Sequence, residues 1–169
     1  LIVDKTGTLT VGKPKLVAVL PEPGHDATEV LRLAASLERG SEHPLAEAIV
    51  AGAEDRNITL AKAEDFAAVT GKGVTGRIDG KRVALGNARL AADLGLDGDA
   101  LSATADARRD QGETVMFVIV DKEIAGLIAV ADPVKETTAD AIQALHAQGF
   151  RIVMATGDNA RTARAVAAK

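Results

Sequence analysis

The hydrophobic and polar positions change their period along this chain of 169 residues. Residues 1–3 are aliphatic and stop at a charged residue, which predicts the end of a buried strand. Residues 4–10 are polar and contain glycine, as is typical of a loop. A second aliphatic run, 15–20, is closed by prolines and a glycine and predicts another strand. We therefore expect the chain to open with a strand, a loop and a strand.

Helical spacing of the apolar positions begins after this second strand. The first helix is predicted to start at Asp26 or Thr28, since both residue types cap helix N-termini. The second is predicted to start at Pro44, because proline suits the first helical position. In the middle of the chain, alternating segments predict two hairpins separated by two helices. In chain order these elements are residues 74–78 and 82–85, 88–94, 101–109, 115–120 and 123–130.

The last part of the chain switches to a helix–strand–helix pattern. We predict a helix over 137–148, a strand over 151–155 and a last helix that starts at Asp158 or Asn159. Such an order is typical of a βαβ unit with a parallel sheet. The sequence therefore predicts an α/β domain built from residues 1–12 and 131–169. It is interrupted by an α+β insertion over 13–130, with an antiparallel sheet flanked by helices.

Composition excludes several classes of protein. The chain has 20 Lys and Arg against 24 Asp and Glu, so it lacks the basic surface typical of nucleic-acid binding. It has no Cys, which excludes disulfides, thiolate zinc sites and cysteine nucleophiles. The longest apolar run, 124–131, is far shorter than the ~20 residues of a membrane span. Because the chain starts inside an aliphatic run without Met and stops in an uncapped helical pattern, we expect a piece of a longer protein.

Asp4 is the first candidate for chemistry. A carboxylate at the carboxyl end of a parallel strand lies where α/β sheets bind their ligands. Lys5 is expected to be its charge partner, and the loop after it offers hydroxyl and backbone donors. Such a carboxylate can attack a phosphoryl centre when Mg²⁺ neutralises the transferred charge. For an isolated Asp, the simpler alternative is a strand-end residue that caps a turn.

The seven residues Asp4-Lys5-Thr6-Gly7-Thr8-Leu9-Thr10 resemble the phosphorylation signature of the P-type ATPases. The resemblance implies that ATP phosphorylates Asp4 and that the carbonyl of Thr6 binds Mg²⁺. Related haloacid-dehalogenase-type phosphatases carry a second Asp where this chain has Thr6. Threonine cannot take a proton from water at neutral pH, so we expect slow hydrolysis of an aspartyl phosphate.

The segment Ser41-Glu42-His43-Pro44-Leu45 lies between the two predicted helices. A lone His at this place is most often a helix cap or a surface residue. The segment resembles the His-Pro motif of the heavy-metal P-type ATPases. That resemblance implies that His43 contacts the adenine side of ATP and that Glu38 supports it. An imidazole can stack on a purine, and a carboxylate can accept from its exocyclic amine.

The segment Gly71-Lys72-Gly73-Val74-Thr75-Gly76 matches a dinucleotide-binding pattern but runs into a hairpin instead of a helix. The simplest interpretation is a glycine-rich turn before a strand. In the heavy-metal ATPases the corresponding glycines line the nucleotide, together with a later Gly-Asn pair. The resemblance therefore implies that Gly71, Gly73 and Gly86 contact ATP, since glycine lets the backbone approach a ligand closely.

Thr156-Gly157-Asp158 follows a predicted strand and precedes a helix, where a hydroxyl and backbone N–H groups can bind an anion. By itself the segment is a turn and a helix cap. It resembles the P-type ATPase segment that holds the phosphoryl group, which implies catalytic contacts from Thr156 and Gly157. The run from Asp132 to Lys135 resembles the hinge between the family's two domains. Asp132, Lys135 and Asp158 are the implied hinge residues.

The resemblance extends over the whole chain in the family's order. It implies that 1–12 and 131–169 are parts of a haloacid-dehalogenase-like, Rossmann-type phosphorylation domain, truncated at its C-terminus, and that 13–130 is the nucleotide-binding domain. The family's GDGxND segment, with a second Mg²⁺-binding Asp, and a phosphate-contacting Lys have no counterpart before Lys169. We therefore expect the fragment to bind ATP but to autophosphorylate poorly.

Among the family, the sequence most resembles those of bacterial copper-exporting pumps, although zinc, cadmium and lead pumps share the His-Pro motif. The resemblance implies partners in the same pump, namely transmembrane and actuator domains, and a heavy-metal ion bound outside this segment. It places the segment at the cytoplasmic face of the inner membrane. Two alternatives remain: an ATP-binding module without turnover, and a haloacid-dehalogenase-type phosphatase with a large cap domain.

Overall fold

The computed structural model describes residues 1–97 and 99–169 of the chain. Within them lie eight strands and six helices, which we number in chain order. The strands are β1 Ile2–Asp4, β2 Lys15–Pro21, β3 Glu64–Val69, β4 Gly73–Ile78, β5 Lys81–Gly86, β6 Thr114–Val120, β7 Glu123–Ala131 and β8 Val153–Ala155. The helices are α1 Ala27–Glu38, α2 Pro44–Glu54, α3 Ala88–Asp93, α4 Asp99–Arg109, α5 Thr138–Ala147 and α6 Ala160–Ala167.

Six strands form one antiparallel sheet in the order β2-β7-β6-β5-β4-β3. Both predicted hairpins are present, β4–β5 and β6–β7. Their turns place Asp79, Gly80 and Asp121 at positive φ, the conformation that tight hairpin turns require. The predicted antiparallel sheet is thereby confirmed.

Helices cover the sheet on both faces. Alternate residues of β6 face opposite sides: Phe117 packs with α3 and α4, whereas Val118 packs with α1 and α2. Side chains such as Leu31 and Phe117 are almost fully buried, and each contributes roughly 1.5–3 kcal/mol through the removal of its surface from water. The insertion is therefore a three-layer unit with a hydrophobic core on each face of its sheet.

The two ends of the chain meet in a second, parallel sheet of β1 and β8. Ile2 pairs with Val153 and Asp4 with Ala155. The predicted parallel pairing is confirmed, although β8 begins at Val153, two residues later than expected.

Asp26 caps α1 by accepting from the backbone N–H of Glu29 at 3.0 Å, which decides between the two expected caps. The α/β fold class expected from the sequence is correct.

Strand β3 is the element that the sequence did not predict. Its residues Glu64–Val69 are mostly exposed, and it forms the outer edge of the sheet next to β4. Asp65 has a positive φ and the register shifts before Ala67, so alternation is lost. Without that alternation the segment has no strand pattern to detect.

Candidate active site

Asp4 is the last residue of β1, and its partner Ala155 is the last residue of β8. Because the strands are parallel, Asp4 and Thr156 leave the sheet at the same edge. Asp4 is exposed to solvent. No hydrogen bond to its carboxylate occurs within residues 1–97 and 99–169. The structure therefore brings together the two segments that the sequence marked as phosphoryl-binding.

The loop after Asp4 is a tight turn. Thr6 has φ −75° and ψ 123°, and Gly7 has φ 77° and ψ −12°, values typical of a type II turn with its obligatory glycine. Gly12 lies against this turn, since a Cβ added there would meet Cα of Gly7 at 2.8 Å. Lys135 also contacts the turn, because its Nζ donates to the carbonyl of Gly7 at 2.8 Å.

Lys5 does not pair with Asp4 as expected. Its side chain is buried. The Lys5 ammonium instead lies 2.8 Å from Oδ2 of Asp158. The other oxygen of Asp158 accepts from the hydroxyl of Thr114 at 3.3 Å. Asp158 therefore links the Asp4 loop to the first residue of β6.

Thr156 and Asn159 organise the turn into α6. The Thr156 hydroxyl accepts from the N–H of Asp158 at 3.1 Å, which leaves its hydrogen free to donate. Asn159 accepts from the N–H groups of Arg161 and Thr162, both at 3.0 Å, so the helix N-terminus is capped by the chain itself. Of the donors expected to bind an anion here, the Thr156 hydroxyl and the backbone N–H of Gly157 therefore remain.

Asp132 joins the two chain segments that connect the sheets. Its carboxylate accepts from the Thr10 hydroxyl at 2.5 Å and from the N–H of Gly12 at 3.0 Å. Thr10 is completely buried and forms a bridge with Val134. The two crossings are thus held side by side, in the arrangement expected of a hinge.

The expected nucleotide residues gather at one end of the large sheet, which we call the hinge end. The hinge lies where β2 begins and β7 ends, and Lys15 pairs with Ala131 there. In an antiparallel sheet β5 must end and β4 begin at this same end. Gly86 and Gly73, which pair with each other, are those residues. The hinge end also faces Asp158, through its hydrogen bond to Thr114.

Helix α1 brings Glu38 towards the hinge end. Arg32 pairs with Asp79 at the opposite end of the sheet, whereas Leu37, the residue directly before Glu38, lies over Gly76. Glu38 is 7% exposed, and within the described residues its Oε2 has no hydrogen-bond partner. Burial raises the pKa of the Glu38 carboxyl, and a hydrogen bond with Ser41 partly offsets the increase. A buried carboxylate oxygen of this kind is suited to accept from a ligand.

His43 caps helix α2. Its Nδ1 accepts from the N–H of Leu45 at 3.2 Å, and Pro44 occupies the first helical position. Nδ1 therefore carries no proton in this arrangement, and the exposed ring presents Nε2 and its face to solvent. The cap role that the sequence offered as the alternative is present, and it fixes the ring without consuming its stacking face.

Gly73 and Gly86 are required by packing between strands. A Cβ at Gly73 would lie 2.1 Å from the carbonyl oxygen of Leu85, and one at Gly86 would lie 2.2 Å from that of Lys72. Gly71 is different, because a Cβ there meets nothing within 4 Å and its φ is +68°. Of the three glycines, Gly71 alone is open to the surroundings, so close packing accounts for the other two.

Asn87, the second residue of the Gly-Asn pair, has a structural role that the sequence analysis did not assign to it. It caps α3 by accepting from the N–H of Arg89 at 3.0 Å. Its amide donates to the carbonyl of Gly71 at 2.8 Å, and its own N–H donates to that of Lys72 at 2.8 Å. Asn87 therefore fixes the glycine loop to α3. An Asn directly before a helical pattern was the available signal.

The Asp4 edge fits a magnesium ion bound together with phosphate. Mg²⁺ prefers hard oxygen ligands and keeps several waters, using one or two protein carboxylates plus substrate phosphates. Asp4 and the carbonyl of Thr6 are such oxygens, and Asp4 is exposed. No group of three or more His, Asp or Glu residues that could hold a metal occurs in the described part of the chain. These residues therefore supply only part of the ligand set of a Mg²⁺ ion.

No helix in the described ranges is long and apolar enough to cross a membrane. The whole chain, residues 1–169, matches the family model of the haloacid dehalogenase-like hydrolases. The chain therefore belongs to this hydrolase family.

A copper-transporting P-type ATPase of Rhizobium leguminosarum bv. viciae is 62% identical over 169 residues, 99% of this chain and 20% of the relative. The crystal structure of a zinc-transporting PIB-type ATPase in the E2.Pi state is 38% identical with a TM-score of 0.74, over 99% of this chain and 27% of that one. The N-domain of HMA6, a copper-transporting P-type ATPase, is 32% identical with a TM-score of 0.59, over 70% of this chain and 98% of that one.

Within its family the chain thus belongs to the heavy-metal P-type ATPases, as the sequence motifs indicated. It spans about a fifth of the length of the Rhizobium relative.

Proposed function

We propose that the chain is the ATP-binding and phosphoryl-accepting segment of an ATP-driven heavy-metal pump, with copper as the favoured cargo. The observation that carries the proposal is the juxtaposition of Asp4 and Thr156 at the carboxyl ends of paired parallel strands. The hinge end of the insertion carries the expected nucleotide residues and faces the same region. The Asp158–Thr114 hydrogen bond therefore joins the acceptor side of the chain to the end of the sheet that carries the expected nucleotide residues.

The proposed reaction is a phosphoryl transfer to Asp4. A carboxylate oxygen of Asp4 attacks the γ-phosphorus of ATP, and the bond from that phosphorus to the β–γ bridging oxygen breaks. ADP leaves with the electron pair, and no proton is transferred. The Thr156 hydroxyl and the Gly157 N–H donate to the transferred oxygens. A Mg²⁺ ion at Asp4 and the Thr6 carbonyl supplies charge neutralisation when bound.

Thr6 explains why the aspartyl phosphate persists. Its hydroxyl is exposed on the turn beside Asp4, where the phosphatases have a carboxylate. Because a hydroxyl does not accept a proton from water at neutral pH, Thr6 does not activate a hydrolytic water. A long-lived phosphate suits a pump cycle, whereas a phosphatase needs rapid release. This argues against the phosphatase alternative.

Glu38 and His43 are proposed to bind the adenine end of ATP. The unpartnered Oε2 of Glu38 can accept from the exocyclic amine of adenine. His43 presents a ring that its Leu45 contact holds in place, which lowers the entropy lost on stacking. Gly71 lies at the open side of its loop and lets the nucleotide approach the backbone.

The partners follow from the relatives. Since the chain spans only part of them, we propose that transmembrane and actuator domains of the same pump and its cargo ion lie outside this segment. We propose further that the segment works at the cytoplasmic face of the inner membrane. The cargo preference rests on the named relative, a copper transporter.

An ATP titration by calorimetry tests the nucleotide site. His43→Asn is the sharpest variant, because Asn retains the helix cap while the imidazole is lost. We expect its affinity for ATP to fall about tenfold, corresponding to about 1.4 kcal/mol of lost stacking. His25→Asn, at the other end of α1, is the matched control and should bind as the unaltered chain does. Equal affinities of the two variants would contradict the adenine assignment.

A labelling experiment tests whether this segment phosphorylates itself. The chain is incubated with γ-labelled ATP and Mg²⁺, and acid-stable label is counted against an Asp4→Asn variant. Because the GDGxND segment is not among these 169 residues, we expect little label. Stoichiometric label on Asp4 would overturn that expectation, and rapid phosphate release from small phosphomonoesters would favour the phosphatase alternative.

A further inference from the structure

Helix α6 packs against the end of α4 and the turn that leads into β6. We call this contact the α6 seam; it joins Arg161, Thr162, Val166 and Lys169 to residues 106–114. The Thr162 hydroxyl, fully buried, donates to the carbonyl of Glu113 at 2.9 Å. Val166 lies over Gly112, where an added Cβ would approach to 3.1 Å. Lys169 donates to the carbonyl of Gln111 at 2.8 Å.

Arg161 forms the charged part of the seam. Its Nε lies 2.7 Å from Oδ1 of Asp110, and its guanidinium also pairs with Asp106. These two carboxylates are four residues apart, so they project from the same side of α4 and its end. The planar guanidinium fork can engage both at once with little loss of side-chain entropy. Asp106 is shared with Arg109, at 3.0 Å.

The seam is a further connection between the two predicted domains, beside the Asp158–Thr114 hydrogen bond. Residues 106–114 lie in the insertion, whereas α6 lies in the phosphorylation segment. The hinge at Asp132 alone would leave the insertion free to rotate about the two chain crossings. Contact at the hinge and at the seam together defines one orientation of the nucleotide residues relative to Asp4.

We propose that Arg161 is a positioning residue that holds the insertion in this orientation by binding Asp106 and Asp110. The inference rests on the proposed function, because orientation affects the reaction only if the insertion delivers a phosphoryl group to Asp4. Arg161, Asp106 and Asp110 keep 41%, 43% and 57% of their side-chain surface exposed. Such pairs contribute little to global stability and are weakened by salt. They can therefore open and close while the fold remains intact.

Distance measurements between two spin labels test the proposal. The chain has no Cys, so Glu54→Cys in α2 and Gln143→Cys in α5 give one label in each segment at exposed positions. The unaltered seam should give one dominant distance. Arg161→Gln should raise the fraction of molecules outside that distance about two- to fivefold, as loss of an exposed ion-pair network allows. The double variant Asp106→Asn, Asp110→Asn should raise this fraction as Arg161→Gln does.

Arg164→Gln is the matched control, since it removes the same charge from an exposed position of the same helix. Exchanging the two charges tests for rescue of the ion pair. Arg161→Asp combined with Asp110→Arg should restore the dominant distance, while Asp106 keeps its ion pair with Arg109. Raising salt from about 0.01 M to about 1 M, which shortens the Debye length from about 30 Å to about 3 Å, should broaden the distances of the unaltered seam but not those of Arg161→Gln.

An unchanged distance distribution in Arg161→Gln, or an equal change in Arg164→Gln, would overturn the proposal, as would failure of the exchanged pair to restore the dominant distance. Circular dichroism of each variant verifies that the fold is retained. The measurement needs no nucleotide, so its failure would leave the ATP site untouched. Failure of the ATP titration would likewise leave the seam intact.

Discussion

The ammonium of Lys5 lies 2.8 Å from a carboxylate oxygen of Asp158, and the two side chains are only 10% and 17% exposed. Lys5 follows the proposed phosphoryl acceptor directly, whereas Asp158 follows Thr156 and Gly157, the proposed phosphate-binding residues. The ion pair therefore ties together the two loops between which the phosphoryl group must fit. Its positive charge neutralises Asp158, so that Asp4 is the carboxylate left exposed at this edge.

Removal of the Asp158 charge should destabilise the chain. Asp158→Asn leaves the Lys5 ammonium largely buried without a counter-ion, and we expect the free energy of unfolding to fall by about 2 kcal/mol, less than for a fully buried pair. Urea titration followed by circular dichroism measures the change. Asp93→Asn is the control, because its pair with Lys72 is 50% and 34% exposed and should contribute under about 0.5 kcal/mol. Equal losses in the two variants would contradict the assigned role.

The glycines of the β3–β4 loop should respond unequally to alanine. Gly73→Ala forces a Cβ into the Leu85 carbonyl, and we expect a loss of about 3 kcal/mol or more. Gly71→Ala places its Cβ in open space and incurs only the strain of positive φ, about 1–2 kcal/mol. Thermal unfolding of the two variants checks the order. A smaller loss for Gly73→Ala than for Gly71→Ala would show that the strand contact does not require glycine.

Glu38 should make stability depend on pH. Its carboxyl has a pKa raised above the ordinary value of 4.5 by burial, so the folded chain holds a proton that the unfolded chain releases. Stability should therefore fall as pH rises from 4.5 through the raised pKa, and level off above it. Glu38→Gln removes this loss, so its advantage over the unaltered chain should grow over the same interval. Below pH 4.5 the two should be nearly equal.

Urea titrations at a series of pH values measure this difference for Glu38→Gln. Glu42→Gln, which removes an exposed carboxylate of the neighbouring loop, is the control for loss of charge. A pH-independent gain in Glu38→Gln would contradict the burial effect.

Asp132 should prove more sensitive to truncation than to loss of charge. Asp132→Ala removes the acceptor of the Gly12 N–H and leaves the buried Thr10 hydroxyl with one partner fewer, at an expected cost of about 2 kcal/mol. Asp132→Asn can still accept from Gly12, and its amide can donate to the Thr10 oxygen, so about half of that loss is expected. Amide exchange at Gly12 separates the two, since only Asp132→Ala should expose this N–H. Equal exchange in both variants would refute the assignment.

The sequence predicted most of the insertion because its hairpins and helices alternate hydrophobic residues with the periods of strands and helices. Strand β3 escaped because an edge strand need bury neither face, and the positive φ of Asp65 breaks its alternation. The motifs around Asp4 and Thr156 were recognisable because they resemble segments of the P-type ATPases. The Lys5–Asp158 pair was not, since residues 153 positions apart in sequence meet only once β1 and β8 pair.

Lys15 and Ala131 stand opposite each other on neighbouring strands, so the insertion begins and ends at one point in space. A unit of this kind costs its host little chain entropy, because the host loop it occupies is closed by the unit's own sheet. It can also be excised, and its ends can be joined by a short turn without strain. The antiparallel sheet and its helices can therefore fold as a unit before β1 and β8 have paired.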